Sequence, residues 1–153
     1  MDNATPDLPL DSHQRVQQPG FLAPQPSALE AQLSGYSVDG LIAQGGMAAV
    51  YRGVQTKLDR PVAIKVLPRQ FGEERSFLEQ FEYEAKAMAR LSHSHIVSVF
   101  DFGETPDGEL LYIVMEFVEG ADLAHVLKKH GHLSQEEALP ILIQICKALR
   151  YAH

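Results

Sequence analysis

The sequence predicts an α+β fold: a five-stranded antiparallel sheet with one helix packed on it, followed by two further helices. Three observations carry this expectation. Residues 62–67, Val-Ala-Ile-Lys-Val-Leu, form a β-branched run that follows a polar turn, which marks a strand. Other apolar stretches of strand length are separated by turns rich in Gly, Pro and Asp. After residue 75 the apolar residues change to helical spacing, first at Phe77, Phe81, Ala85 and Met88, then at Ala138, Ile141, Leu142, Ile145, Ala148 and Leu149.

The totals fit that class. A chain of 153 residues, 45% apolar and 22% charged, is long enough for one domain with a real core. A net charge of −7 with no basic run argues against nucleic acid as a partner. Cys146 is the single cysteine, so no intrachain disulfide can form and a reducing, cytoplasmic setting is expected. The N-terminus has no charged head followed by an apolar run, and no apolar stretch approaches a membrane-spanning length.

In order along the chain, residues 1–34 contain Pro6, Pro9, Pro19, Pro24 and Pro26 with Gln14, Gln17, Gln18 and Gln25 among them. Without an apolar period there is no face to bury, so a disordered leader is expected. A strand follows over 36–44. Gly45 and Gly46 turn it into a second strand over 50–54, and because they lack a Cβ they can adopt positive φ at no steric cost, which suits a tight hairpin. The third strand, 62–67, alternates, placing Ala63 and Lys65 on one face and Val62, Ile64 and Val66 on the other. A helix is expected over 75–91, with Glu82 and Lys86 as a favourable i,i+4 pair. Strands over 96–102 and 110–116 flank the turn Thr105-Pro106-Asp107-Gly108. A short helix over 122–130 ends at Gly131. Ser134 and Glu137 then have the spacing of a capping box and open a longer helix that contains Pro140, a site for a kink. Cys146 falls on the apolar side of that helix and is expected in the core. His93 and His95 could chelate, but no third ligand is in sight, so no metal is expected.

Four groups of residues stand in a telling order. Gly45-Gly46-Met47 precedes Val50-Tyr51; then come Val62-Ala63-Ile64-Lys65, Phe81-Glu82-Tyr83-Glu84-Ala85, and the run Tyr112-Ile113-Val114-Met115-Glu116-Phe117-Val118-Glu119-Gly120. Together they resemble the protein kinase domain of the bacterial serine/threonine type. The resemblance implies a small lobe over residues 35–117, with the hinge and an incomplete large lobe over 118–153. It implies ATP binding, with Ile42, Ala43, Gly45, Gly46, Ala48 and Val50 at the phosphate-covering loop. The family pattern G-x-G-x-x-G-x-V falls on Ala43, Gly45, Ala48 and Val50, so only its middle glycine is kept. Val50 and Ala63 would sandwich the adenine, and Met115 would stand beside it as gatekeeper. The backbones of Glu116 and Val118 would bond its edge. Asp122 would reach the ribose, or simply cap a helix. Lys65 would contact the α- and β-phosphates and pair with Glu84, 19 residues on.

The function implied is transfer of the ATP γ-phosphoryl group to serine or threonine hydroxyls of proteins. The family's H-R-D catalytic loop is expected past His153, and its metal-binding D-F-G aspartate is expected to be missing as well, so the ligands for Mg²⁺ are not foreseen in this chain. The chain alone is therefore expected to lack phosphotransferase activity, and residues 134–153 to need the rest of a large lobe or a partner to cover them. The alternative is a pseudokinase-like module that binds nucleotide or a partner and regulates.

Overall fold

A computed structural model describes residues 21–69 and 75–153. Its elements are α1 (Pro26–Gln32), β1 (Tyr36–Gln44), β2 (Ala49–Gln55), β3 (Arg60–Pro68), α2 (Arg75–Ala89), β4 (Val99–Glu104), β5 (Leu110–Glu116), α3 (Leu123–His130) and α4 (Gln135–Ala152). The strands form one five-stranded sheet in the order β1-β2-β3-β5-β4. Every neighbouring pair is antiparallel, as expected.

The alternation on β3 divides the sheet into two faces. Val62, Ile64 and Val66 are fully buried and join Tyr36, Val38, Ala49, Tyr51 and Val114 in the main core. We call this the back face. Lys65 lies on the other, front face, and directly opposed residues of antiparallel strands share a face. The register therefore places Ala43, Val50, Lys65, Ile113 and Phe102 in one front row across all five strands. Gly40, Arg52, Ala63, Met115 and Val99 form the next row.

The back face is covered by the stretch expected to be a leader. Residues 1–20 lie outside the described residues, but residues 21–34 are ordered, with α1 among them, which corrects that expectation for this stretch. Pro26 occupies the first turn of α1, where its missing N–H costs nothing and its fixed φ suits a helix. Leu29 and Leu33, one turn apart, are 1% and 3% exposed and sit in the same core as Ile64. Glu30 accepts a hydrogen bond from the Val38 amide at 2.8 Å, and the Tyr51 hydroxyl donates to the Pro24 carbonyl at 2.6 Å. Burial raises the Tyr51 phenol above its ordinary pKa. The prolines that suggested disorder thus start a helix and accept a buried hydroxyl.

On the front face, α2 packs against β4. Phe81 meets Phe102 edge to face at 6.4 Å between centroids, and Ala85 is fully buried. Glu82 and Lys86 form the expected i,i+4 pair at 2.9 Å. The turn between β4 and β5 closes through Gly108 N–H to the Thr105 carbonyl at 2.8 Å, with Gly108 at φ 74°.

The last two helices begin where the capping residues predict, and α3 ends where Gly131 predicts. Asp122 caps α3, and Gly131, at φ 82°, closes it with a bond to the Leu127 carbonyl. Ser134 and Glu137 form the reciprocal capping box on α4. The bonds from Ser134 hold the Glu137 carboxyl below the ordinary carboxylate range. Pro140 lies inside α4, which continues as one helix across it. No residue of α3 or α4 is fully buried. Cys146 is exposed, which corrects its expected place in the core: the apolar side of α4 has little packed on it. The C-terminal end of α4 does reach the linker before β4, where the Tyr151 hydroxyl accepts from the Ser92 amide at 3.2 Å and its ring lies 5.2 Å from that of His93. Among the described residues no helix is long and apolar enough to cross a membrane.

Candidate functional site

Lys65 is the centre of the front face. It is half-buried, cross-strand from Val50 on one side and Ile113 on the other. Ala63, 9% exposed, lies two residues before it between Arg52 and Met115. A small residue beside a lysine leaves a flat apolar floor next to a cation, which suits an aromatic base carrying phosphates. Val50 and Met115, both half-buried, border that floor. Arg52 bridges from the β1–β2 hairpin toward the segment after β5: its guanidinium lies 5.0 Å from the Phe117 ring centroid, and its Nε lies 3.6 Å from Asp39.

The β1–β2 turn is closed by the Gly45 amide donating to the Ala48 carbonyl at 2.8 Å. Neither Gly45 nor Gly46 has positive φ; that conformation is found at Gly35, Gly108, Gly120 and Gly131. The positive φ open to both glycines is not used in this turn. A Cβ at Gly46 would meet nothing within 4 Å and one at Gly45 only the Ala48 carbonyl at 3.7 Å, so the turn itself does not demand glycine. Ile42, Ala43, Gly45, Gly46 and Met47 are exposed, and Ala48 is half-buried.

At the end of β5 Glu116 is exposed, and so is Val118 two residues on. The Glu116 amide already donates to the Ser98 carbonyl at 2.9 Å, and the Glu116 carboxylate accepts from the Ser98 amide at 3.2 Å. Among the described residues the Val118 amide makes no backbone hydrogen bond, which leaves it free for a ligand. A cavity of about 370 Å³ lies between this segment, the 94–97 linker and α4; it shares Glu116 and Val118 with the site but not Lys65 or Ala63. Asp122 accepts from the His125 amide at 2.6 Å through one oxygen, so the capping reading is what the structure displays, with the second oxygen left over.

Lys65 and Glu84 are not brought together. Among the described residues no ion pair joins them, and the exposed Glu84 carboxylate accepts from Gln80 Nε2 at 3.0 Å, one turn earlier on α2. The sequence spacing was right for the strand and the helix but carries no information about the rotation of the helix against the sheet.

One feature was missed in the sequence. Asp101-Phe102-Gly103 spells D-F-G, yet it lies within β4. Asp101 opposes Val114 and therefore belongs to the back face, away from Lys65. Its two oxygens accept from the Tyr36 hydroxyl at 2.8 Å and the Phe102 amide at 2.9 Å. Burial, and then the bond to Asp101, push the Tyr36 phenol well above its ordinary pKa. This aspartate is a structural acceptor. Among the described residues no group of three or more His, Cys, Asp or Glu side chains could hold a metal ion.

Comparison with known proteins agrees with this fold. Residues 36–153 match the model of the protein kinase domain. The chain is 45% identical over 125 residues to the serine/threonine-protein kinase PknA of Mycobacterium tuberculosis, covering 79% of this chain and 29% of that protein. It is 42% identical over 118 residues to the serine/threonine-protein kinase PrkC of Bacillus subtilis, covering 77% of this chain and 18% of that one. Among solved structures, the kinase domain of Mycobacterium tuberculosis PknI superposes with a TM-score of 0.66 at 32% identity, covering 78% of this chain and 48% of that chain. The chain thus spans less than a third of these curated relatives and about half of the solved domain. The five-stranded sheet with α2 is a kinase-like small lobe, and α3 and α4 are helices of the large lobe. The matched residues and the shared fold establish that this chain belongs to the protein kinase domain family, among the serine/threonine kinases of bacterial type.

Proposed function

We propose that residues 36–153 are the ATP-binding part of a serine/threonine protein kinase. The observation that carries the reading is the front-face arrangement of Lys65 beside small, apolar Ala63, with Val50 and Met115 at the borders. Adenine lies against the apolar floor formed by Val50 and Ala63, and its edge meets the backbone of Glu116 and Val118. Lys65 neutralises the α- and β-phosphates, and Glu84 is its proposed partner once released from Gln80. The residues of the turn, 42–48, cover the phosphates, and Asp122 offers its free oxygen to the ribose. Phosphoryl transfer needs positioning and charge neutralisation more than covalent help from the protein. The reaction proposed for the whole kinase moves the γ-phosphoryl group of ATP onto a protein serine or threonine hydroxyl, with ADP leaving. Its setting is the cytoplasm, where ATP is available and Cys146 stays reduced.

The exposed apolar side of α4 favours one addition. Leu139, Leu142, Ile145 and Leu149 are each 45% exposed or more. A contiguous apolar face of this kind is a surface to be covered, by further large-lobe structure or by another protein.

Thermal unfolding with and without ATP tests the reading. Ligand at a hundred times its Kd stabilises by about 2.7 kcal/mol, which raises the midpoint by several degrees. The Lys65→Met chain is expected to melt at nearly the same temperature without ATP, because Lys65 is outside the core cluster, and to lose most of the ATP-dependent rise. An equal rise in both chains would contradict the assignment of Lys65.

A further inference from the structure

The turn over the proposed phosphate site is tied to the segment that precedes the family domain. The Phe21 amide donates to the Gly46 carbonyl at 3.1 Å, and Gln44 Nε2 donates to the Phe21 carbonyl at 2.8 Å. Phe21 and Ala23 pack against the back-face core, and the Tyr51 hydroxyl fixes Pro24 just beyond them. Residues 21–24 therefore form a strap anchored on the back of the sheet and hooked to the end of β1 at Gln44 and to the turn itself at Gly46. None of these residues falls within the 36–153 match to the kinase family.

The orientation of one peptide unit gives this strap a consequence at the front. In a planar trans peptide the carbonyl and the following N–H point in opposite directions. No peptide among the described residues is cis. Anchoring the Gly46 carbonyl toward the strap therefore turns the Met47 N–H away from it, toward the side that carries Lys65. Among the described residues the Met47 amide has no hydrogen-bond acceptor. An amide held in that direction before the ligand arrives is a donor for an anionic oxygen that needs no reorganisation on binding. The usual device for this loop is backbone freedom from flanking glycines, and those positions are Ala43 and Ala48 here.

We propose that Phe21 and Gln44 are positioning residues: their hydrogen bonds orient the Met47 amide toward the phosphates of a bound nucleotide. The proposal deepens the ATP-binding reading and rests on it. The strap acts on phosphates and not on the base, so ATP and adenosine should respond differently to its loss.

The test compares equilibrium binding of ATP and of adenosine to the full chain and three variants. Phe21→Pro removes the amide donor to Gly46, Phe21→Leu keeps that amide while changing the side chain, and Gln44→Leu removes the second hook. Phe21→Pro and Gln44→Leu should each weaken ATP binding about three- to tenfold, the worth of one net hydrogen bond. Their adenosine affinity should change less than twofold, roughly within measurement of the Phe21→Leu chain. Equal ATP affinity in all four chains, or parallel losses for ATP and adenosine, would overturn the strap while leaving the nucleotide site standing. Failure of the unsubstituted chain to bind either ligand would overturn the nucleotide reading and the strap with it. Hydrogen exchange in ligand-free chains supplies the check that does not depend on nucleotide. The 45–48 amides should exchange faster in Phe21→Pro than in Phe21→Leu, and identical exchange would also overturn the strap.

Discussion

Leu29→Ala is expected to destabilise the protein by about 3 kcal/mol and to lower the melting midpoint by roughly 10 °C. Leu29 lies before the first strand, in a stretch whose composition argues for disorder, yet it is 1% exposed. It shares its cluster with Tyr51, Val62, Ile64 and Val66, all fully buried, so truncation would leave a cavity within the main core. Cavities in such surroundings collapse only partly, and the lost contacts add to the lost transfer energy. Glu30, its neighbour on α1, ties the helix to β1 through the Val38 amide, which limits how far α1 can move inward to refill the space. Denaturant unfolding followed by circular dichroism measures the effect. A shift under about 0.5 kcal/mol, the size usual for surface sites, would mean that α1 is not part of the folded core.

Ile64→Ala is expected to cost a similar amount, about 3–4 kcal/mol, through the same cluster approached from the sheet side. Its interest lies in what it should leave alone. Ile64 is adjacent to both Ala63 and Lys65 in the chain, but it points to the back face, opposite Tyr51 on β2 and Val114 on β5. At a temperature well below the lowered midpoint, ATP affinity should change less than threefold, because the front row is carried by the ladder hydrogen bonds and not by the Ile64 side chain. Lys65→Met should show the reverse signature, with stability kept and ATP affinity lost. Two neighbours with opposite effects are what the two-faced β3 requires. If Ile64→Ala removed ATP binding and stability together, the separation of site and core argued from the register would fail.

Those predictions mark how far the sequence could be read. The alternation of 62–67 is a period-2 signal on a strand buried on one side, and it assigned both faces correctly. Caps were equally legible: Asp122, Gly131, Ser134 and Glu137 act through bonds to residues three or four positions away, so their partners are visible in the sequence. What escaped notice depended on distant partners or on local chemistry with two meanings. Pro26 belongs to the proline-rich composition that suggests disorder, although proline in the first helical turn followed by Ala28, Leu29, Glu30 and Ala31, with Gly35 beyond, is a helix signal. The hooks from Phe21 to the turn cross more than twenty residues and have no motif. The Lys65–Glu84 pairing depended on how α2 is turned, and the structure gives Glu84 to Gln80. Asp101 shows the opposite error that letters alone invite, since a D-F-G tripeptide inside an antiparallel strand serves Tyr36 and not a metal.

The measurement that bears most directly on the central claim is labelling with an acyl-phosphate derivative of ATP, followed by peptide mass spectrometry. The reagent acylates a lysine amine held next to the phosphates and releases the nucleotide. The chain has six lysines: Lys57, Lys65, Lys86, Lys128, Lys129 and Lys147. Label is expected on the Lys65 peptide at low reagent concentration, and excess ATP should suppress it there. Label spread over the exposed lysines, with Lys65 no faster than the rest and no protection by ATP, would contradict a nucleotide site on this face of the sheet.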